Sequence, residues 1–191
     1  MRVRILGAGI IGLSCADELR RRGHDVMVVD PAPASGASWA AAGMLSPGGE
    51  AWHGEAELLR LGVESSALWP EYAGRLDVPL HIGGTLLAGC DAGDVQQLER
   101  QVDLLASHGV GAELLTGREA RALEPTLGPR VGGGVHLREE RSVDPRMVLA
   151  ALRQRVREDV VVDGRSPSDP CDATVIATGA VLPEPFTHLV R

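Results

Sequence analysis

Residues 3 to 30, VRILGAGIIGLSCADELRRRGHDVMVVD, decide the fold. Val3, Ile5 and Leu6 make a short apolar run that stops at Gly7-Ala8-Gly9-Ile10-Ile11-Gly12. A helix is predicted next, because Leu13, Ala16 and Leu19 recur at helical spacing before Arg20-Arg21-Arg22 and the breaker Gly23. Val26-Met27-Val28-Val29 reads as a second strand, ending at Asp30. Strand, glycine turn, helix, strand and acid in this order predict an α/β fold on a parallel sheet.

Each part has a physical task in holding a dinucleotide. Gly7 permits the tight turn out of the strand, Gly9 keeps side-chain bulk away from a pyrophosphate, and Gly12 lets the helix lie close to the sheet. The helix N-terminus offers free N–H groups and partial positive charge to phosphates. A carboxylate at Asp30 can accept hydrogen bonds from adenosine ribose hydroxyls, and it would repel the 2′-phosphate of NADP. Glycine is abundant, 24 of 191 residues, so the spacing alone carries little. The register of all five parts carries the reading. It does not separate FAD from NAD.

The next segment bears on that choice. NAD-binding domains usually pass from the second strand into another crossover helix. Here residues 31 to 50, PAPASGASWAAAGMLSPGGE, form a long stretch of small residues instead. Ala40, Ala41, Ala42 and Gly43 are what a backbone needs to lie flat against a planar ligand. Ser38 is placed to cap a short helix aimed at the pyrophosphate.

The run Gly36-Ala37-Ser38-Trp39-Ala40-Ala41-Ala42-Gly43-Met44-Leu45-Ser46-Pro47 resembles the flavin loop of the thiamine-pathway glycine oxidases. These belong to the D-amino-acid-oxidase group of FAD-dependent amine oxidases. Gly83-Gly84-Thr85, Leu123-Glu124-Pro125 and Val143-Asp144-Pro145 fall in that family's order. The resemblance runs along the whole chain, which matches the first half of the family or a little more.

The resemblance implies an FAD-binding Rossmann-like parallel sheet with an inserted, incomplete α+β substrate domain. Its expected segments are 1–48 for the FAD-binding part, 49–142 for the insertion, and 143–191 for the return to the FAD-binding part. It implies FAD contacts at Gly7, Ala8, Gly9, Ile10, Ile11 and Gly12, and adenosine-ribose positions at Asp30 and Pro31. Ala37 and Ser38 fall near the phosphates, and Ala42, Gly43 and Met44 against the isoalloxazine ring. Thr178 and Gly179 form a turn closing over the cofactor, and the backbone near Arg165 meets the adenine. Trp39 stands where many relatives carry a small polar residue.

The implied reaction oxidises a small primary or secondary amino acid to an imino acid, with dioxygen as acceptor and a place in thiamine synthesis. The family's substrate-gripping arginine has no match in these residues. The chain is therefore expected to be inactive alone and to need a C-terminal half as a separate or missing segment. A homo-oligomer is compatible with the resemblance. A NAD-dependent dehydrogenase domain and a non-catalytic FAD-binding subunit stay open as alternatives.

Beyond the loop, residues 55 to 72 show helical spacing and residues 81 to 88 read as a strand or hairpin. Asp91 to His108 is a second helix closed by Gly109. Short strands are expected near Ala112–Leu115 and Val135–Leu137. Asp144 and Pro145 open a further helix through Arg157, and strands follow at Val160–Val162 and Ala173–Ala177.

Composition bounds the rest. Apolar residues at 44% and charged residues at 24% describe an ordinary globular chain. With 19 basic against 26 acidic side chains and a formal charge of −7, a nucleic-acid partner is not expected. The sequence holds no lysine, which removes a Schiff-base nucleophile and the P-loop lysine. Cys15, Cys90 and Cys171 are scattered, so neither a disulfide framework nor a metal knuckle is expected. The six histidines have no metal-ligand spacing. The acid pairs Glu139-Glu140 and Glu55/Glu57 read as surface charge. No apolar run suits a membrane span, no secretory leader precedes the first strand, and a cytoplasmic setting is expected.

Overall fold

A computed structural model of the chain describes residues 1–161, 170–184 and 186–189. Its elements in chain order are β1 (Arg2–Leu6), α1 (Ile10–Arg21), β2 (Asp25–Val29), α2 (Ala37–Ala40), β3 (Met44–Leu45) and α3 (Ala56–Leu76). There follow β4 (Leu80–His81), β5 (Thr85–Gly89), α4 (Ala92–Ser107), β6 (Glu113–Thr116), α5 (Gly117–Leu123) and β7 (Gly133–Leu137). The last are β8 (Arg141–Val143), α6 (Pro145–Arg155), β9 (Val160–Val161) and β10 (Ala173–Ile176). The chain divides into two units: residues 1–43, 75–78 and the described residues from 144 onward; and residues 44–74 with 79–143.

The first unit is a four-stranded parallel sheet in the order β10-β1-β2-β9. Val3 and Ile5 are buried in β1 and alternate with the less buried Arg2, Arg4 and Leu6, and Val26, Val28 and Val29 are buried in β2. Leu13 and Ala16 of α1 and Val148, Leu149 and Leu152 of α6 complete this core. Asp144 caps α6 by accepting the Arg146 N–H at 2.8 Å, with Pro145 in the first turn. Glu18 holds α1's last turn through Arg21 and Arg22. Hydrogen bonds from those two guanidiniums lower its carboxyl to about 2.

A buried acid ties three segments of this unit together. Asp17 of α1 is 5% exposed, with one carboxylate oxygen accepting from Arg155 Nε at 2.6 Å and the other from Arg75 Nη2 at 3.4 Å. Asp17→Ala is expected to destabilise the chain by about 2 kcal/mol in urea unfolding. That is below the ~3–5 kcal/mol of a wholly buried pair, because both arginines reach water. An unchanged unfolding midpoint would show that the ion pairs contribute nothing net.

The second unit holds two antiparallel sheets, β3-β8-β4 and β5-β7-β6. Its core is Leu59, Leu98, Leu105, Val135 and Leu137. Asp91 caps α4, and Thr116 with Glu119 forms a reciprocal capping box on α5. The Thr116 hydroxyl and N–H lower the Glu119 carboxyl below the ordinary carboxylate range.

Residues 44–48 group with the second unit, where Met44–Leu45 pair with Arg141–Ser142. Two sequence expectations need correction. Glu140, read as surface charge, is 6% exposed. It accepts from the Gly48 and Gly49 N–H groups at 2.7 and 2.9 Å and from the Ser46 hydroxyl, which fastens residues 46–49 to the second unit. The helix expected to end at residue 72 runs through Pro70 to Leu76. Proline has no N–H to offer the Ser66 carbonyl, and Arg141 Nη1 approaches that oxygen at 3.5 Å instead.

Candidate functional site

In the first unit, β1, β2 and β10 run in parallel and end side by side. The Gly7 N–H donates to the Val29 carbonyl at 2.9 Å and the Ala177 N–H to the Leu6 carbonyl at 2.7 Å, so the three strand ends are sewn together. Gly7 has φ +102°, and a Cβ there would stand 2.3 Å from the Ala177 carbonyl oxygen. A Cβ on Gly12 would stand 1.9 Å from the Gly7 carbonyl oxygen. At Gly9 a Cβ would have only the Ser38 hydroxyl within 4 Å, at 3.1 Å. Two of the glycines are therefore demanded by the packing of the turn. The third faces a space whose near boundary is the Ser38 hydroxyl, which an added methyl would press upon.

That space belongs to a cavity of about 320 Å³ over the N-terminus of α1. Gly7, Gly9, Ile10 and Ile11 form one wall, and Asp30 with Ala32, Ala34 and Ser35 another. Gly36, Ala37 and Ser38 form a third, and Ala177, Thr178 and Gly179 close it. Among the described residues no lysine or arginine lines it. Its donors among the described residues are neutral: at the start of α1 the Ile11 N–H has no carbonyl to bond, as helix geometry requires. The Thr178 hydroxyl oxygen is buried without a hydrogen-bond partner among the described residues.

Asp30 does more than line the wall. One carboxylate oxygen accepts from the Ala8 N–H at 2.6 Å and the other from the Ala32 N–H at 2.8 Å. Ala8 is fully buried, so the acid satisfies a donor that water cannot reach. Ala34, whose N–H donates to the Ala8 carbonyl at 3.0 Å, adopts φ +62° and folds the loop back onto the glycine turn. Neither role has a signature in the sequence, because an acid at a strand tip and an alanine in a loop are both commonplace.

Of the sequence-predicted residues, Gly7, Gly9, Ile10, Ile11, Asp30, Ala37, Ser38, Thr178 and Gly179 line this one cavity. Ala8 and Gly12 lie buried behind its wall. Pro31 is exposed beside it in sequence. Ala42 and Gly43 follow α2 outside the lining, and Met44 begins β3 of the second unit with its side chain exposed. Arg165 lies outside the described residues. Ser38 does not cap α2, whose N-cap is Gly36; its hydroxyl accepts the Ile10 N–H at 3.0 Å, across the turn. A cavity of about 280 Å³ in the second unit is mainly apolar. Its buried acid, Glu140, is already held by the 46–49 backbone and Ser46.

A parallel sheet with a helix N-terminus at its strand tips, a glycine turn and an acid after the second strand is the arrangement of the dinucleotide-binding class of α/β folds. The pattern of the FAD dependent oxidoreductases, DAO, matches residues 2–186. The chain belongs to this family.

A Rhizobium etli protein with the provisional name thiamine biosynthesis oxidoreductase ThiO is 36% identical over 189 residues, covering 94% of this chain and 54% of that protein. Glycine oxidase of Geobacillus kaustophilus is 30% identical over 158 residues, covering 78% of this chain and 42% of that protein. The crystal structure of the Geobacillus enzyme superposes with a TM-score of 0.85 at 28% identity, over 94% of this chain and 56% of that one. Glycine oxidase of Bacillus cereus gives 0.81 at 28% identity, over 94% and 55%. The chain spans about half the length of these relatives. Among the described residues no helix is long and apolar enough to cross a membrane.

Proposed function

We propose that the first-unit cavity holds FAD, with the pyrophosphate at the N-terminus of α1. In this reading the whole protein oxidises a small primary or secondary amino acid to an imino acid, with dioxygen as the final acceptor. The observation that carries the reading is the cavity's donor set: a free helix N–H and unengaged hydroxyl capacity, with no cation among the described lining residues, beside an acid. Such a set suits a diester pyrophosphate attached to a ribose, and the Asp30 carboxylate disfavours a 2′-phosphate. The family match and the likeness to glycine oxidase support flavin over nicotinamide.

Each residue then has a task. The Ile11 N–H and the hydroxyls of Ser38 and Thr178 donate to phosphate oxygens. Gly7, Ala8 and Gly12 shape the turn, Gly9 leaves room for the phosphates, and Ile10 holds Ser38 in place. Ala37 and Gly179 approach the cofactor through backbone. Asp30, with Pro31, meets the adenosine ribose using lone pairs left over from its two backbone bonds. Ala42, Gly43 and Met44 lie along the isoalloxazine ring, and the backbone near Arg165 meets the adenine. When bound, FAD supplies a two-electron acceptor for the amine; orientation of that amine falls to groups in the part of the relatives that this chain does not span.

The test is the visible spectrum of the purified chain after incubation with FAD and removal of excess. Retained yellow colour, with no competing retention of NAD, is expected; retention of NAD and not FAD would overturn the reading. Anaerobic glycine or sarcosine is expected to leave the bound flavin of these 191 residues unbleached.

A further inference from the structure

The four-residue helix α2 buries none of its side chains. Hydrophobic burial therefore does not hold it, and one helical turn has little stability of its own. Yet Ala37 and Ser38 of this turn form part of the cavity wall. Two side-chain contacts fasten it. The Ser38 hydroxyl accepts the Ile10 N–H at 3.0 Å, and the Arg146 guanidinium lies 4.7 Å over the ring of Trp39. Arg146 sits in the first turn of α6, where its N–H is fixed by the cap Asp144. It makes no ion pair with a carboxylate among the described residues. The cation is thus anchored at its base and has the indole face as its partner, while the ring stays about half exposed (54%) and does not line the cavity.

We propose that the Trp39–Arg146 stack is a positioning device for the dinucleotide. It holds α2 against α6, so that the Ser38 hydroxyl stays on the Ile10 N–H with its own proton free for a phosphate oxygen. Neither side chain touches the ligand; both act through Ser38. The proposal rests on the flavin reading above. Without the stack, α2 must be ordered at the moment of binding, and affinity falls by the cost of that ordering.

Two measurements test it. In FAD titrations followed by flavin fluorescence, Trp39→Ala and Arg146→Ala are each expected to weaken binding by about two- to fivefold. The double variant should be no weaker than either single one. Trp39→Phe and Arg146→Lys keep a ring and a cation and should restore most of the affinity. In a Ser38→Ala background, Trp39→Ala should add nothing. Unchanged affinity in the single variants, or effects that add in the Ser38→Ala background, would overturn the proposal.

Amide hydrogen exchange without ligand is the second measurement. Exchange at residues 37–40 should rise in Trp39→Ala while β1 and β2 stay protected. Equal exchange in wild type and variant would overturn the stack as a fastener. A wild-type chain that binds no FAD would instead refute the flavin reading, with the exchange result still deciding whether the stack holds α2.

Discussion

Gly12→Ala is expected to cost the chain its fold. The added methyl would lie 1.9 Å from the Gly7 carbonyl oxygen, 3.0 Å from its carbon and 3.3 Å from Ile5 Cγ2. The first two atoms are backbone, and Ile5 is fully buried, so none of the three can swing aside. Relief requires α1 to lift from β1, which opens the contact made by Leu13 and Ala16 and draws Asp17 away from Arg155. Ordinary overpacking costs ~1–3 kcal/mol, and a clash against rigid backbone belongs at or above the top of that range. A loss of about 3 kcal/mol or more in chemical unfolding, or insoluble expression, is the expected result. An unfolding midpoint like that of the wild type would mean that α1 sits further from the turn than described.

Gly9→Ala, three residues earlier, is expected to spare the fold and cost the ligand. Gly9 has φ −78° and ψ −174°, a conformation any residue adopts, and its added methyl would meet only the Ser38 hydroxyl. Alanine is a poorer N-cap than glycine, so stability should fall by less than about 1 kcal/mol. The methyl would nevertheless stand in the cavity over the helix N-terminus. Loss of one charge-assisted contact to phosphate, at ~1.5–3 kcal/mol, predicts FAD binding weaker by roughly 10- to 150-fold. Unfolding and binding measured on the same two variants should therefore separate cleanly. A Gly9→Ala chain that keeps wild-type affinity would place the phosphates elsewhere.

The parallel unit was legible because its signals are local. Val3 and Ile5, Leu13 and Ala16, and Val26 and Val28 repeat at strand or helix spacing, and Asp144 announces a helix start by its chemistry. What stayed hidden depends on partners distant in sequence. Met44–Leu45 become a strand only because Arg141–Ser142 lie beside them, and no periodicity exists in two residues. Glu140 looks like any surface acid until the Gly48 and Gly49 N–H groups are brought to it. Ser38 was expected to cap its own helix, yet its hydroxyl serves Ile10, 28 positions earlier. Glycine spacing likewise marks the turn without revealing that Gly7 and Gly12 answer to packing while Gly9 answers to space.

Backbone amide shifts recorded while FAD is titrated into the chain test the placement of the cofactor most directly. The account predicts that the signals of Gly9, Ile10, Ile11, Gly12, Ser38, Thr178 and Gly179 move together and saturate. Those of Leu98, Val135 and Leu137 in the second unit's core should stay still. Saturable shifts confined to the second unit, or no movement at residues 9–12, would contradict it.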